Sequence, residues 1–479
     1  MIDILLVNPK ETGRFFEKMP PLGLAYIAAN LEKHGYAVRI VDFEVEDKDL
    51  NYWLDKYQPR FLGISGTSHT RFESFRLAKQ AKDFNPEIIT IYGGVHATFT
   101  AFETLKNIQE IDFVVRGEGE ETVLELITAF KNDLDIAKVK GISYRNIHGM
   151  IENPEAARIQ NLDSLSRPAY HLLQMNKYSV NMEFVNKKGI SLMTSRGCLA
   201  KCSFCSASRM FNHQVTNHSA QFVLDEVEFL FKNYDFEGMK IFDSTLTIEP
   251  DHINSICDEI IQRDLDFPWE CEIRVGTVDE RLLEKMQRAG CYYVNFGIES
   301  ASQRVLNLMR KGFTIEQAED LLELCNKIGL KTKTFFSFGH IGETVDDVQK
   351  TFEFIDKHAR QITTLATGAG VRIYPGTYLE NYALQKSLLP NNFVWSLPYD
   401  EPRLSTIFQT RSVPVLIQPQ LGFAELEKIA LRIYRRRFSG WKGFKRGIVK
   451  VTHMNKLRKL AILLKLGFNN IFTDQQKSI

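Results

Sequence analysis

No cysteine precedes position 198 in this chain of 479 residues, so no thiolate-bound metal and no disulfide can form upstream of it. The seven cysteines that follow are odd in number, which argues against a disulfide framework and for a reducing compartment. Net charge is missing too: 60 Lys plus Arg stand against 59 Asp plus Glu, which leaves no overall field to draw the protein toward nucleic acid. No nucleic-acid partner is expected, and any electrostatic partner must be read locally. No apolar run reaches the roughly 20 residues that a spanning helix needs. The start, Met1 to Val7, carries neither a basic n-region nor a small-residue cleavage site, so a cytoplasmic location is expected. Acids are absent between Lys428 and Phe472, where 13 Lys or Arg occur. That stretch holds two amphipathic helical runs, Ile429 to Phe438 and Leu457 to Leu466. A basic amphipathic helix suits peripheral contact with an anionic membrane or a phosphorylated substrate, and equally an acidic patch of the same protein or solvent.

What is present fits an ordinary globular protein of two or three domains, with 44% hydrophobic and 25% charged residues. In residues 1–140, strand-like runs at Ile2 to Asn8, Val38 to Phe43, Phe61 to Ser65, Ile88 to Tyr92 and Phe113 to Arg116 alternate with helical patterns. That rhythm predicts a five-stranded parallel, doubly wound α/β sheet of flavodoxin-like type. Such sheets bind ligands at the carboxyl ends of their strands. Those ends read Ser65-Gly66-Thr67, Gly93-Gly94-Val95-His96 and Gly117-Glu118-Gly119-Glu120. Glycine lets the backbone approach a large planar ligand, and Ser65 and Thr67 add hydroxyls. Each turn alone is equally an ordinary tight turn.

Residues 141–185 read as a linker that opens with a short hairpin. From 186 to 400, six strand-like runs alternate with helical patterns: Ile190 to Ser195, Met239 to Phe242, Trp269 to Val275, Tyr292 to Ile298, Thr332 to Phe338 and Leu365 to Tyr374. Six units are too few to close an eight-stranded barrel, so a partial (β/α)6 TIM-like barrel is predicted. Residues 401–479 form the helical, basic carboxyl-terminal region. After the first barrel strand come Cys198, Cys202 and Cys205, a Cys-x3-Cys-x2-Cys triplet. Four-iron clusters normally take four cysteines, so three would leave one iron open to another ligand. A zinc site or three unconnected thiols are the alternatives. Cys257, Cys271, Cys291 and Cys325 match no ligand spacing and read as small core hydrophobes.

The triplet, with Phe204 before its last cysteine, resembles the signature of the radical S-adenosylmethionine (radical SAM) enzymes. Phe296-Gly297-Ile298-Glu299-Ser300 is similar to that superfamily's fourth-strand phrase. The resemblance implies a [4Fe-4S] cluster on Cys198, Cys202 and Cys205, with S-adenosyl-L-methionine chelating the open iron. It places Asp243 at the methionine ammonium, and Arg274, Glu299 and Ser300 around the rest of the molecule. Pro20 to Leu24, Gly93 to Thr98 and Arg116 to Glu120 resemble the cobalamin-binding domain of one subfamily. There Ser65, Gly66, Thr67, Gly93, Gly94, His96 and Gly117 would meet cobalamin. Many cobalamin domains offer a histidine from an Asp-x-His-x-x-Gly loop, but the corresponding Asn8-Pro9-Lys10-Glu11-Thr12-Gly13 has none. A methylthiotransferase-type first domain would carry three additional cysteines and is excluded by their absence.

The resemblance implies a cobalamin-dependent radical SAM methyltransferase that acts on an unactivated carbon of a small-molecule or lipid-like substrate. The 5′-deoxyadenosyl radical would remove a hydrogen atom, and a flavodoxin- or ferredoxin-type donor would supply the electron. The alternatives are a radical cyclase or oxidoreductase of porphyrin-cyclase type, and a non-catalytic corrinoid sensor or carrier.

Overall fold

The computed structural model describes residues 2–11, 18–390, 392–399, 401, 403–404 and 412–438. Five parallel strands, β1 (Ile4–Asn8), β2 (Val38–Asp42), β3 (Phe61–Ser65), β4 (Ile89–Gly93) and β5 (Phe113–Val115), lie in the order β2-β1-β3-β4-β5. Side chains alternate across this sheet. Ile4, Leu6, Phe61 and Ile91 pack on the helices Leu22–Lys33 and Glu120–Lys131. Leu5, Val7, Leu62 and Ile64 pack on the other face with residues of the helices Arg71–Phe84 and Val95–Asn107. Burial on both faces is why these strands read as continuous apolar runs. The strand order reverses between β1 and β3, the switch point beside which such sheets take ligands, and Ser65 stands at the end of β3 there.

The hairpin of β6 (Ile142–Asn146) and β7 (Gly149–Glu152) does not stand free in a linker. It adds to β5 antiparallel and completes a seven-stranded sheet. The chain then crosses to a second sheet through short 3-10 turns, and β8 (Val180–Met182) already belongs to that sheet. The next strands are β9 (Lys187–Leu192), β10 (Ser195–Gly197), β11 (Val215–Asn217), β12 (Gly238–Ile241), β13 (Trp269–Glu272), β14 (Cys291–Glu299), β15 (Lys331–Phe338) and β16 (Thr364–Ala369). Six of them run parallel in the order β16-β15-β14-β13-β12-β9, with β8 antiparallel at the edge. This is the predicted partial barrel. Ile190, Met239, Cys271, Val294 and Phe336 face its helices, and Lys240, Glu272, Asn295 and Lys333 occupy alternate positions on the other face.

The short ribbon β10-β11 stands apart and brackets the cysteine loop. In the carboxyl-terminal region, the helix Phe423–Phe438 sets Leu426, Ile429, Ala430 and Ile433 into the barrel core. Its basic face docks partly on the same chain: Arg432 stacks 3.8 Å from the Phe352 ring and Arg436 pairs with Asp356. The predicted run Leu457 to Leu466 lies outside the described residues. Among the described residues, no helix is long and apolar enough to cross a membrane.

Candidate active site

At the carboxyl ends of β3, β4 and β5 a slot of about 200 Å³ descends between the first sheet and the helices Leu22–Lys33 and Glu120–Lys131. Ile4, Leu6 and Ile91 make its depth apolar, while Ser65, Gly93, Gly94 and Gly117 form its rim. Gly94 has φ +100°, and a Cβ there would stand 2.7 Å from the Gly66 carbonyl oxygen. Only glycine keeps this turn closed at that distance. An apolar depth beneath a glycine-rich rim lets a large ligand approach the backbone and seat an apolar or aromatic group below it.

The remaining wall comes from the second domain. Met193 and Arg196 precede the cysteine triplet, Met210 and Phe211 follow it, and all four line the slot. Arg196 donates to Glu118 (2.8 Å) and Glu120 (2.7 Å) of the first domain.

The loop from Cys198 to Cys205 is held by its backbone. The Ser203 N–H donates to the Met309 carbonyl at 2.9 Å, and the Leu379 N–H donates to the Ser203 carbonyl at 2.9 Å. Cys198 is buried, while Cys202 and Cys205 are partly open. The Cys198 sulfur lies 3.8 Å from the Thr245 hydroxyl, and Arg274 directs Nη1 at the Cys202 sulfur from 3.6 Å. Burial pushes the Cys205 thiol pKa up, the Cys202 and Cys198 sulfurs add to this, and the N–H groups of Ala207 and Ser208 work against it. Three thiols on one short loop, two of them partly open, offer a [4Fe-4S] cluster one thiolate for each of three irons.

Beside this loop runs a polar chain that starts at Lys311. Its ammonium lies 3.6 Å from Glu299, which accepts from the Ser337 hydroxyl at 2.6 Å, and Ser337 in turn meets His340 at 2.8 Å. Glu299 is a non-glycine residue with φ +70°, at an irregularity where β14 ends. Such strained backbone persists where the surroundings fix it, and here it sets a carboxylate beside Lys311. The His340 ring packs against Phe204 at 5.3 Å, and burial lowers its pKa to about 3. His340 is therefore neutral at physiological pH.

The structure places the other sequence-derived residues as follows. Asp243 is buried and spends its carboxylate on the Thr194 N–H (2.7 Å), the Thr194 hydroxyl (2.6 Å) and the Ser195 hydroxyl (2.7 Å). It braces the entrance to the cysteine loop. Ser300 is buried against Thr351, with 3.3 Å between the hydroxyls. Gly66 packs beneath Tyr92, and Thr67 meets Thr70 at 3.2 Å. His96 is buried away from the slot lining, with Nδ1 2.9 Å from Ser68 and its ring against Trp395. Lys311 and Arg196 were given no role from sequence, and Glu118 and Glu120 were read only as part of a strand-end turn. The available signal for Lys311 was the Met309-Arg310-Lys311-Gly312 turn, whose Arg310 and Gly312 both take positive φ.

Comparison with known proteins agrees with this geometry. Residues 12–127 match the family model described as B12 binding domain, and residues 192–355 match that of the radical SAM superfamily. An uncharacterized methyltransferase of Pyrococcus horikoshii is 36% identical over 377 residues, covering 77% of this chain and 80% of that protein. The anaerobic magnesium-protoporphyrin IX monomethyl ester cyclase of Rubrivivax gelatinosus is 32% identical over 344 residues, 70% of this chain and 61% of the cyclase. Among solved structures, the radical S-adenosylmethionine methyltransferase TsrM of Kitasatospora setae superposes with a TM-score of 0.70 at 20% identity, covering 90% of this chain and 88% of TsrM. The chain is an enzyme of the cobalamin (B12)-binding radical SAM family, whose cofactors are cobalamin, a [4Fe-4S] cluster and S-adenosylmethionine.

Proposed function

We propose that the enzyme is a methyltransferase that modifies an unactivated carbon of a small-molecule substrate. One observation carries this reading: the residues that flank the cysteine triplet, Met193, Arg196, Met210 and Phe211, also wall the slot in the first domain. Two cofactor sites that share a wall can serve one bound substrate, and such positioning is worth several kcal/mol of barrier, on the order of 7 or more in favourable cases. The cluster with S-adenosylmethionine supplies radical chemistry and cobalamin supplies methyl-group transfer; both belong to the cofactors and not to side chains.

The protein's share is binding and shielding. Cys198, Cys202 and Cys205 hold the cluster, with Arg274 as a cation beside Cys202. Ser65, Gly93, Gly94 and Gly117 admit the corrinoid tail to the apolar slot. Glu299, kept in place by Ser337 and Lys311, is the carboxylate set to meet the ribose or ammonium groups of S-adenosylmethionine. The loop from Asn8 to Gly13 holds no imidazole for cobalt, and His96 lies away from the slot lining.

The test is an anaerobic reaction with reductant, S-adenosylmethionine carrying a deuterated methyl group, and an extract of small molecules. The reading requires 5′-deoxyadenosine together with a product heavier by one deuterated methyl. A radical cyclase would give 5′-deoxyadenosine and a product with no added carbon. A corrinoid sensor or carrier would give neither.

Two finer features belong to this proposal. A flavodoxin- or ferredoxin-type donor feeds the cluster, which is checked by replacing dithionite with each. The helix Phe423–Phe438, where Leu431, Tyr434 and Arg435 remain exposed, supports peripheral contact with anionic lipid. Failure to co-sediment with anionic vesicles at low salt would remove that second feature.

A further inference from the structure

Arg196 sits on β10, two residues before Cys198, yet its charge is neutralised entirely by the other domain. Nη1 donates to Glu118, on the turn that follows β5, and Nη2 to Glu120, the first residue of the helix Glu120–Lys131. The three side chains are 6%, 8% and 4% exposed. The Tyr26 ring, from the helix Leu22–Lys33, lies 5.2 Å from the guanidinium. Glu118 also accepts the Ile159 N–H at 2.9 Å and has Arg158 at 3.9 Å, so the connecting segment is tied to the same knot.

We infer that Arg196 is a positioning residue that couples corrinoid binding in the first domain to the geometry of the cysteine loop in the second. This rests on the cofactor reading above and extends it. Arg196 and the turn from Gly117 to Glu120 together wall the slot, so a ligand seated there touches the bridge itself. The other end of the bridge is stiff. Ser195 is bonded to Asp243, Arg196 pairs with Thr216 in the β10-β11 ribbon, and a Cβ on Gly197 would collide with the Gln214 carbonyl. A guanidinium fork between two carboxylates fixes direction as well as distance. Separating buried charges is costly, so a shift of the turn carries β10 with it rather than breaking the pair. Two sites joined in this way influence each other reciprocally: whatever corrinoid does to the cluster loop, an assembled cluster does to corrinoid affinity.

The experiment measures the dissociation constant of hydroxocobalamin on the full-length chain with and without the reconstituted cluster, in wild type, Arg196→Lys and Arg196→Gln. The wild-type values should differ by about tenfold, within the usual range of coupling between sites. The ratio should shrink in Arg196→Lys and fall to about one in Arg196→Gln, where the fork no longer links the two sites. The paramagnetic signal of the reduced cluster supplies a second readout, shifting on corrinoid addition in wild type and staying fixed in Arg196→Gln. If Arg196→Gln does not accumulate as folded protein, Glu118→Gln and Glu120→Gln each remove one arm, and each should lower the ratio. A wild-type ratio of one, or an undiminished ratio in these variants, overturns the coupling and leaves the functional reading standing. A wild-type chain that takes up no corrinoid overturns that reading, and the coupling with it.

Discussion

The two domains build their sites by opposite means. In the first, the site is a place where side chains are withheld: glycines at the strand ends and an apolar slot behind them. In the second, it is a concentration of reactive and charged groups, three thiols with Arg274, Lys311 and Glu299 around them. A large preformed cofactor needs room and a few polar contacts, whereas a cluster assembled on the protein needs ligands. The contrast also explains the cysteines. Cys257, Cys271 and Cys325 gather around Cys291 in the barrel core, where burial raises Cys257 and Cys325 to about 12 and pushes the Cys271 thiol up as well. Burial keeps those thiols protonated and inert.

The largest effect that could break this comparison is on the thiol side. Cys202→Ala should abolish the cluster and with it 5′-deoxyadenosine formation, while corrinoid still binds the first domain; iron analysis and a corrinoid titration on one sample check both halves. On the glycine side, Gly93→Leu adds bulk at the slot rim, where a Cβ itself meets nothing closer than Val115 at 3.9 Å. Overpacking of about 1–3 kcal/mol corresponds to a roughly fivefold to 150-fold loss of hydroxocobalamin affinity, with cluster content unchanged.

Asp243→Asn tests whether this carboxylate braces the loop. The amide cannot accept all three hydrogen bonds, so thermal unfolding of the cluster-free chain should show a loss of about 1–3 kcal/mol. If cluster-free stability is unchanged and only S-adenosylmethionine binding is lost, the role first implied by family resemblance is the correct one.

The smallest expected effect concerns Glu272, in register with Asn295 and Lys333 across three barrel strands. Burial raises its pKa to about 7, against the opposing pull of Lys240 and Lys333. The folded chain therefore holds a proton that the unfolded chain releases at lower pH, and this contribution is lost as pH rises from the ordinary carboxyl range through about 7. Glu272→Gln should raise the melting temperature relative to wild type above that window and match it only below the ordinary carboxyl range, near pH 4.

Much of the fold was legible because strands of the first sheet, buried on both faces, leave apolar runs, and barrel strands alternate buried with more open positions. Thr332 to Phe338 was expected and Lys331–Phe338 is observed, and Tyr292 to Ile298 became Cys291–Glu299. The hairpin of β6 and β7 was legible as a hairpin but not as part of the first sheet, because local pattern says nothing of which edge a strand joins. The thiol loop declared itself by spacing. Asp243 did not reveal that its bonds would be spent on Thr194 and Ser195, since position at a strand end fixes where a residue stands and not which way its oxygens turn. Arg196 was hidden for a different reason. Its partners lie 78 and 76 positions away, in another domain, and no periodicity reports such a contact.

The most direct test is to purify the chain without oxygen, reconstitute it, and determine iron, sulfide, corrinoid and S-adenosylmethionine cleavage on the same sample. The account predicts about four iron, four sulfide and one corrinoid per chain, with 5′-deoxyadenosine formed on reduction. A chain that carries a full cluster and cleaves S-adenosylmethionine but retains no corrinoid would contradict it.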